Sequence, residues 1–187
     1  MKENAIRCAW VNADPLYIAY HDEEWGKPLY DDQKLFELLT LEGMQAGLSW
    51  YTILKKRESF REAFDHFDPH IIVKYGPDKV EELLQNPGII RNRLKVQSVI
   101  TNASVYFDII REHGSFGGYL WSFVDGTPII NHWESISDVP ASTPISDSMS
   151  KALKKKGMKF VGSTILYAFM QASGMVNDHT LNCYCRA

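Results

Sequence analysis

The sequence predicts an all-α protein, and three observations carry that expectation. Apolar residues recur at helical spacing in one segment after another, most clearly at Leu35, Leu38 and Leu39 and from Ile90 to Ile110. Helix starts and stops punctuate the chain: Asp14-Pro15 and Asp31-Asp32 read as N-terminal caps, Gly114 and Gly174 as ends. No stretch alternates apolar and polar residues over a useful length, and no internal repeat is visible.

In order, the first helix opens at Pro15, carries Tyr17, His21, Glu24 and Trp25 on one face with Tyr20 beside them, and stops at Gly26-Lys27-Pro28. A second begins near Asp32 and runs into the stretch 41–50. Ser49 or Trp50 opens a third through Ile53, Leu54, Phe60 and Phe64. Pro69 starts a short one that stops near Gly76-Pro77, and Asp78 caps another to about Gln85. After the break at Asn86-Pro87-Gly88 a long helix places Ile90, Leu94, Val99, Ala103, Phe107 and Ile110 at helical spacing. Residues 119–124 read as a short buried helix and 126–144 as the longest loop. Helices from about 146 to the run Lys154-Lys155-Lys156 and from about 161 to 172 complete the series.

A chain of 187 residues with this spread of elements is one domain, 1–187, large enough for a real core. Hydrophobic content of 45% and charged content of 23% are those of a soluble globular protein. No apolar run is long enough to span a membrane and the first residues lack a signal-peptide core, so a cytoplasmic protein without membrane partners is expected. Three cysteines cannot all pair, and a reducing compartment favours metal over disulfides. The net charge of −3 means that any nucleic-acid binding must come from local basic patches.

The stretch 41–50, Leu41-Glu42-Gly43-Met44-Gln45-Ala46-Gly47-Leu48-Ser49-Trp50, departs from its pattern. Position 42 continues the apolar stripe of the second helix and should be Leu or Ile; it is Glu42. Gln45 and Ser49 are expected on the same face, and Gly43 and Gly47 leave the backbone open to close approach. A buried carboxylate is costly without a polar or cationic partner. An ordinary pairing with Arg or Lys would satisfy it, and so would a ligand. Tyr20, Trp25 and Trp50 lie within reach if the first two helices pack together. Aromatic faces around a carboxylate suit a flat cation.

Two further constellations stand out. Cys8 and His21 near the start and His179 and Cys183 near the end are ligands that suit tetrahedral Zn2+, with Cys185 an alternative to Cys183. Such a site would tie the chain ends together and, closed by four protein ligands, would be structural. The other constellation is a pair of glycine-containing turns between helices. One is 84–90, followed by Arg91, Arg93 and Lys95; the other is 154–164, with Lys159, Gly162 and Ser163. Backbone N–H groups at a helix start, with lysines and a hydroxyl nearby, suit DNA phosphates.

Together these residues resemble the 3-methyladenine DNA glycosylase I family, the constitutive bacterial enzyme of base-excision repair. The resemblance rests on Cys8-Ala9-Trp10-Val11, on residues 14–26 and 41–50, on 154–162 and on Val176-Asn177-Asp178-His179. It implies a helix-hairpin-helix DNA glycosylase fold with a structural zinc held by Cys8, His21, His179 and Cys183. It implies Glu42 as the catalytic carboxylate contacting the methylated base, with Tyr20, Trp25, Gln45 and Trp50 lining the pocket. It further implies release of cationic N3-methyladenine from alkylated double-stranded DNA by a monomeric enzyme, with free 3-methyladenine as product.

Two residues depart from what the resemblance suggests. Related glycosylases carry a catalytic Asp after the hairpin, which this family is described as lacking. The nearest candidate, Asp178, is expected to support or cap near His179. Met44 stands where a more polar residue is expected. Leu48 is the candidate wedge that fills the emptied base stack. Two other classes compete: a non-catalytic zinc-stapled DNA-binding module, and a hydrolase that uses the metal itself. A buried but ligand-accessible Glu42 discriminates against the module, and a saturated four-ligand metal against the hydrolase.

Overall fold

The computed structural model describes residues 5–186. Ten α-helices are found among them: α1 (Pro15–Glu23), α2 (Asp32–Gln45), α3 (Trp50–Lys55), α4 (Arg57–Ala63), α5 (Pro69–Ile72), α6 (Pro77–Gln85), α7 (Arg93–His113), α8 (Phe116–Trp121), α9 (Pro144–Lys155) and α10 (Ser163–Ala172). Two two-residue strands, β1 (Ile129–Ile130) and β2 (Val176–Asn177), pair in parallel, Ile129 beside Val176. The mostly helical expectation holds; this short bridge pins the long loop to the tail. No described helix is long and apolar enough to cross a membrane.

The two caps that matter most for the site behave as the sequence suggests. Asp14 accepts from the Leu16 amide at the head of α1, and Asp31 accepts from the Lys34 amide at the head of α2. α2 is the axle of the molecule. Its Leu35, Phe36, Leu39 and Leu41 enter a core completed by Val96, Val99 and Ala103 of α7 and by Leu166, Phe169 and Met170 of α10. A smaller cluster of Cys8, Tyr20, Trp25, Leu54, Ala172 and Cys183 sits beside it, with Leu38 and Trp50 packed against both.

Several boundaries differ from the sequence reading, each for a local reason. α2 stops at Gln45, so Ser49 leaves its face and instead caps α3, accepting from the Thr52 amide. The expected third helix breaks at Lys56 into α3 and α4. Pro77 takes the first helical position of α6 and moves the cap to Gly76, leaving Asp78 in the first turn. α7 begins only at Arg93, capped by Asn92, so Ile90 precedes it and Leu94 is exposed. Thr143 and Ser146 form a reciprocal cap that starts α9 at Pro144.

Candidate active site

The N-terminal end of the site is α1, whose Tyr20 and His21 are buried. Tyr20 turns toward α2, His21 toward the chain ends. Glu42, on α2, is only 3% exposed, and its Oε2 has no hydrogen-bond partner among the described residues. Among the described residues neither Arg nor Lys answers it. Burial alone pushes its pKa up to about 8. The charge of Glu42 is felt by Tyr17 and Tyr20, whose hydroxyl pKa values are raised by burial first and by this carboxylate second.

Glu42 opens onto a cavity of about 180 Å³ lined by Trp10, Tyr17, Tyr20, Trp25, Gln45 and Trp50 on one side, and by Ile136, Ala168 and Gln171 on the other. The rings of Tyr20 and Trp50 lie 5.4 Å apart, and Trp10 meets Trp25 edge-on at 5.0 Å. The Trp50 indole N–H is likewise buried without an acceptor. An unanswered carboxylate oxygen and an unanswered N–H beside aromatic rings fit a flat, polar, cationic heterocycle. The expected lining residues Tyr20, Trp25, Gln45 and Trp50 are all brought together here. Trp10, Tyr17, Ile136, Ala168 and Gln171 were not foreseen as lining. Tyr17 stands one turn before Tyr20, so spacing offered a signal for that residue.

A larger cleft of about 630 Å³ shares the Tyr20–Trp50 wall. Four of its eight charged lining residues pair with one another, Arg57 with Glu24 and Arg61 with Glu37. The smaller cavity holds the unsatisfied groups and is the better candidate for chemistry.

Behind the aromatic wall lie Cys8, His21, His179 and Cys183, all buried, with one ligand atom of each within 4.8 Å of the others. Cys183 Sγ is 3.4 Å from His21 Nε2 and 3.3 Å from His179 Nδ1; Cys8 Sγ is 3.5 Å from His179 Nδ1. A tetrahedral ion with bonds of about 2.0–2.3 Å sets its ligand atoms roughly 3.5 Å apart, so the spacing fits. The far ring nitrogens are also engaged. His21 Nδ1 lies 2.8 Å from Asp22 Oδ1, and His179 Nε2 is 3.2 Å from the Trp25 carbonyl oxygen. Acceptors at those positions fix the tautomers and leave the inward nitrogens as lone pairs. Burial lowers the pKa of both histidines, His179 to about 4, which keeps the rings neutral. Cys185 instead sits beside Asp22, its Sγ 3.8 Å from the carboxylate. The 179–183 segment is a turn, in which the Cys183 amide donates to the Thr180 carbonyl. This buried Cys2His2 cluster joins the two ends of the chain and can bind a metal.

Asp178 does not line the cavity and does not cap. Its Oδ1 accepts from Asn131 Nδ2 and Trp133 Nε1 at 2.7 and 2.8 Å; its Oδ2 accepts from the Tyr167 hydroxyl and Gln171 Nε2 at 2.6 and 2.8 Å. The β1–β2 pairing brings the first two donors to it.

Leu48 is 43% exposed on the turn between α2 and α3, as a wedge must be. That turn is braced from below. Lys95, expected to face DNA, is buried and donates through Nζ to the carbonyls of Met44 and Ala46 at 2.8 and 2.7 Å. Met44 is itself core. Gly43 makes the expected close approach: a Cβ there would stand 3.2 Å from the Cβ of Phe160. Gly47 makes none; its positive φ shapes the turn.

In the second basic hairpin Lys154, Lys155 and Lys159 are exposed, and Lys156 pairs with Glu112. Asn102 clamps both the amide and the carbonyl of Lys159. Gly162 caps α10 without a side-chain hydrogen bond, leaving first-turn N–H groups for an anion. The Ser163 hydroxyl is engaged with Asp147 and Ser146, so only its backbone is free for such a contact. In the first hairpin Arg93 pairs with Glu81.

A family model described as methyladenine glycosylase matches residues 10–187. The chain belongs to the methyladenine glycosylase family. It is 52% identical over 179 residues to DNA-3-methyladenine glycosylase 1 of Escherichia coli (strain K12), covering 96% of each chain. It is 49% identical over 180 residues to DNA-3-methyladenine glycosylase of Haemophilus influenzae, covering 96% of this chain and 97% of that one. Among solved structures, a crystal structure of 3-methyladenine DNA glycosylase I superposes with a TM-score of 0.95 at 55% identity, covering 97% of this chain and all of that one. The Staphylococcus aureus enzyme, solved to explain 3-methyladenine recognition, superposes with a TM-score of 0.94 at 38% identity, covering 97% and 96%. The superposition accounts for the helical fold.

Proposed function

We propose that this chain is a DNA-3-methyladenine glycosylase, a hydrolase of the N-glycosyl bond that releases 3-methyladenine from alkylated double-stranded DNA. The observation that carries the proposal is Glu42, buried with an unanswered oxygen in a cavity walled by aromatic rings. The relatives named above are called by the same activity. N3-methylation makes the adenine cationic, so its bond to C1′ is already weak. On cleavage the bonding electrons pass to the purine ring and neutralise it. Water adds to C1′ and loses a proton. No strong general acid is required.

The protein's work is to unstack the nucleotide and hold it. Glu42 pairs with the cationic base, Gln45 assists, and Tyr20, Trp25 and Trp50 enclose its faces. Leu48 fills the vacated stack. Lys159 and the backbone at Gly162 and Ser163 position the phosphates. Cys8, His21, His179 and Cys183 would hold Zn2+; with four protein ligands that ion would be structural, bracing the wall through the contact of His179 with Trp25 at 4.6 Å. One helical domain, acting as a monomer, suffices. A merely DNA-binding module would have no use for an accessible buried carboxylate, and a closed cluster leaves no metal vacancy for hydrolysis.

The test is incubation of methylated duplex DNA with purified protein, with the released bases separated and identified. Free 3-methyladenine is the expected product. Absence of any base release would refute the proposal.

A further inference from the structure

Methylation at N3 weakens the glycosidic bond of adenine and guanine alike, so the leaving group does not choose between them. The pocket must. At the 6-position adenine carries an amino group, a double donor, whereas guanine carries an oxygen, an acceptor. Selection therefore needs an acceptor in the cavity that cannot rotate to become a donor.

A glutamine side chain usually fails that requirement, because its amide turns over at little cost. Gln171 is different. Its Nε2 donates at 2.8 Å to Asp178 Oδ2, an oxygen that also accepts from the Tyr167 hydroxyl. The other oxygen of Asp178 takes Asn131 Nδ2 and the Trp133 indole N–H, which can only donate. Asp178 is thus an acceptor toward four groups and is 1% exposed. The Gln171 group facing it must be the NH2. Gln171 Oε1 takes no hydrogen bond from the described residues, and Gln171 lines the cavity that contains Glu42.

We propose that Gln171, its amide locked by Asp178, is a specificity-determining residue whose carbonyl oxygen selects a 6-aminopurine over a 6-oxopurine. Asp178 is then a positioning residue, acting through Gln171 without touching the base. A 6-amino group meets the locked acceptor oxygen of Gln171; a 6-oxo group in the same pose sets lone pair against lone pair there. This inference rests on the glycosylase reading and refines it.

The experiment measures dissociation constants of free 3-methyladenine and free 3-methylguanine by tryptophan fluorescence, for wild type, Gln171→Met and Asp178→Asn. Excision of 3-methyladenine by the wild type is run alongside. The wild type is expected to prefer 3-methyladenine by at least about tenfold. Gln171→Met keeps the length and the other three bonds of Asp178, and should erase most of that preference. Asp178→Asn offers an N–H to Gln171, turns its amide around, and should move the ratio further toward 3-methylguanine. A merely structural role would weaken both bases equally. If the wild type excises 3-methyladenine but the ratio is the same in a folded Gln171→Met protein, the inference is overturned and the glycosylase reading stands. If the wild type neither excises nor binds either base, both fall.

Discussion

At neutral pH the unliganded Glu42 carries a proton, because burial lifts its pKa to about 8 from an ordinary 4.5. Between those values the folded state binds more protons than the unfolded one, so this group's effect on stability worsens as pH rises from about 4.5 to 8. Glu42→Gln has no charge to desolvate. It should therefore raise the thermal midpoint at pH 9 and change it little at pH 4.5, each pKa unit being worth about 1.4 kcal/mol. Equal shifts at both pH values would mean that the carboxylate is better solvated than its burial indicates. In catalysis the cationic base needs the ionised form. Wild-type kcat/KM should climb with pH toward the free-enzyme value near 8, and Glu42→Gln should lose both that limb and on the order of a hundredfold in single-turnover rate. DNA affinity should survive. Equal rates on the same methylated duplex would reduce Glu42 to a structural residue. Glu42 was legible in the sequence because it interrupts an apolar stripe. Gln171 was not, since a glutamine near a helix end reads as solvated until the Asp178 network is seen. Trp10 lies in a turn and Ile136 opens a single 3-10 turn, both too short for periodicity to mark an inward side chain.

At the scale of elements, the turn after α2 shows why basic clusters mislead. Arg91, Arg93 and Lys95 look alike in sequence, yet Lys95 is buried against the open carbonyls of α2, where a cation also opposes the helix dipole. Lys95→Met keeps the stem and removes the charge. It should cost about 2 kcal/mol, read from urea melts, and slow excision by loosening the turn that carries Leu48. Unchanged stability would mean that water replaces the ammonium at no cost. The 154–164 hairpin is the better reading of the DNA face, because Lys154, Lys155 and Lys159 keep free ammonium groups. Reversing Lys154 and Lys155 to Glu should weaken binding to damaged and undamaged duplex alike and flatten the salt dependence by about one unit per lost phosphate contact. An unaltered salt slope places the DNA on another face.

Across the whole molecule, the cluster at the termini and the base pocket are one structure. Cys8 and Cys183 pack with Tyr20 and Trp25, and His179 meets the Trp25 ring that lines the cavity. The Cys and His spacing alone left this site open, since residues more than 150 positions apart meet only after α1, α10 and the β1–β2 bridge are in place. Freshly purified protein is expected to hold about one zinc per chain. Cys183→Ser, or exhaustive chelation, should leave a folded helical core but a looser tail. A loss of about 3 kcal/mol lowers the midpoint of a chain this size by roughly 6–12 °C. Because a closed site has no vacancy for water, the chemical step should change only as far as Trp25 moves: single-turnover excision well below the new midpoint should stay within about tenfold of wild type. The two readouts separate the alternatives. A lowered midpoint with retained chemistry is the structural result, whereas total loss of excision in protein still folded at low temperature would give the metal a direct part in the reaction. Metal-free protein with an unshifted midpoint would remove zinc from the account altogether.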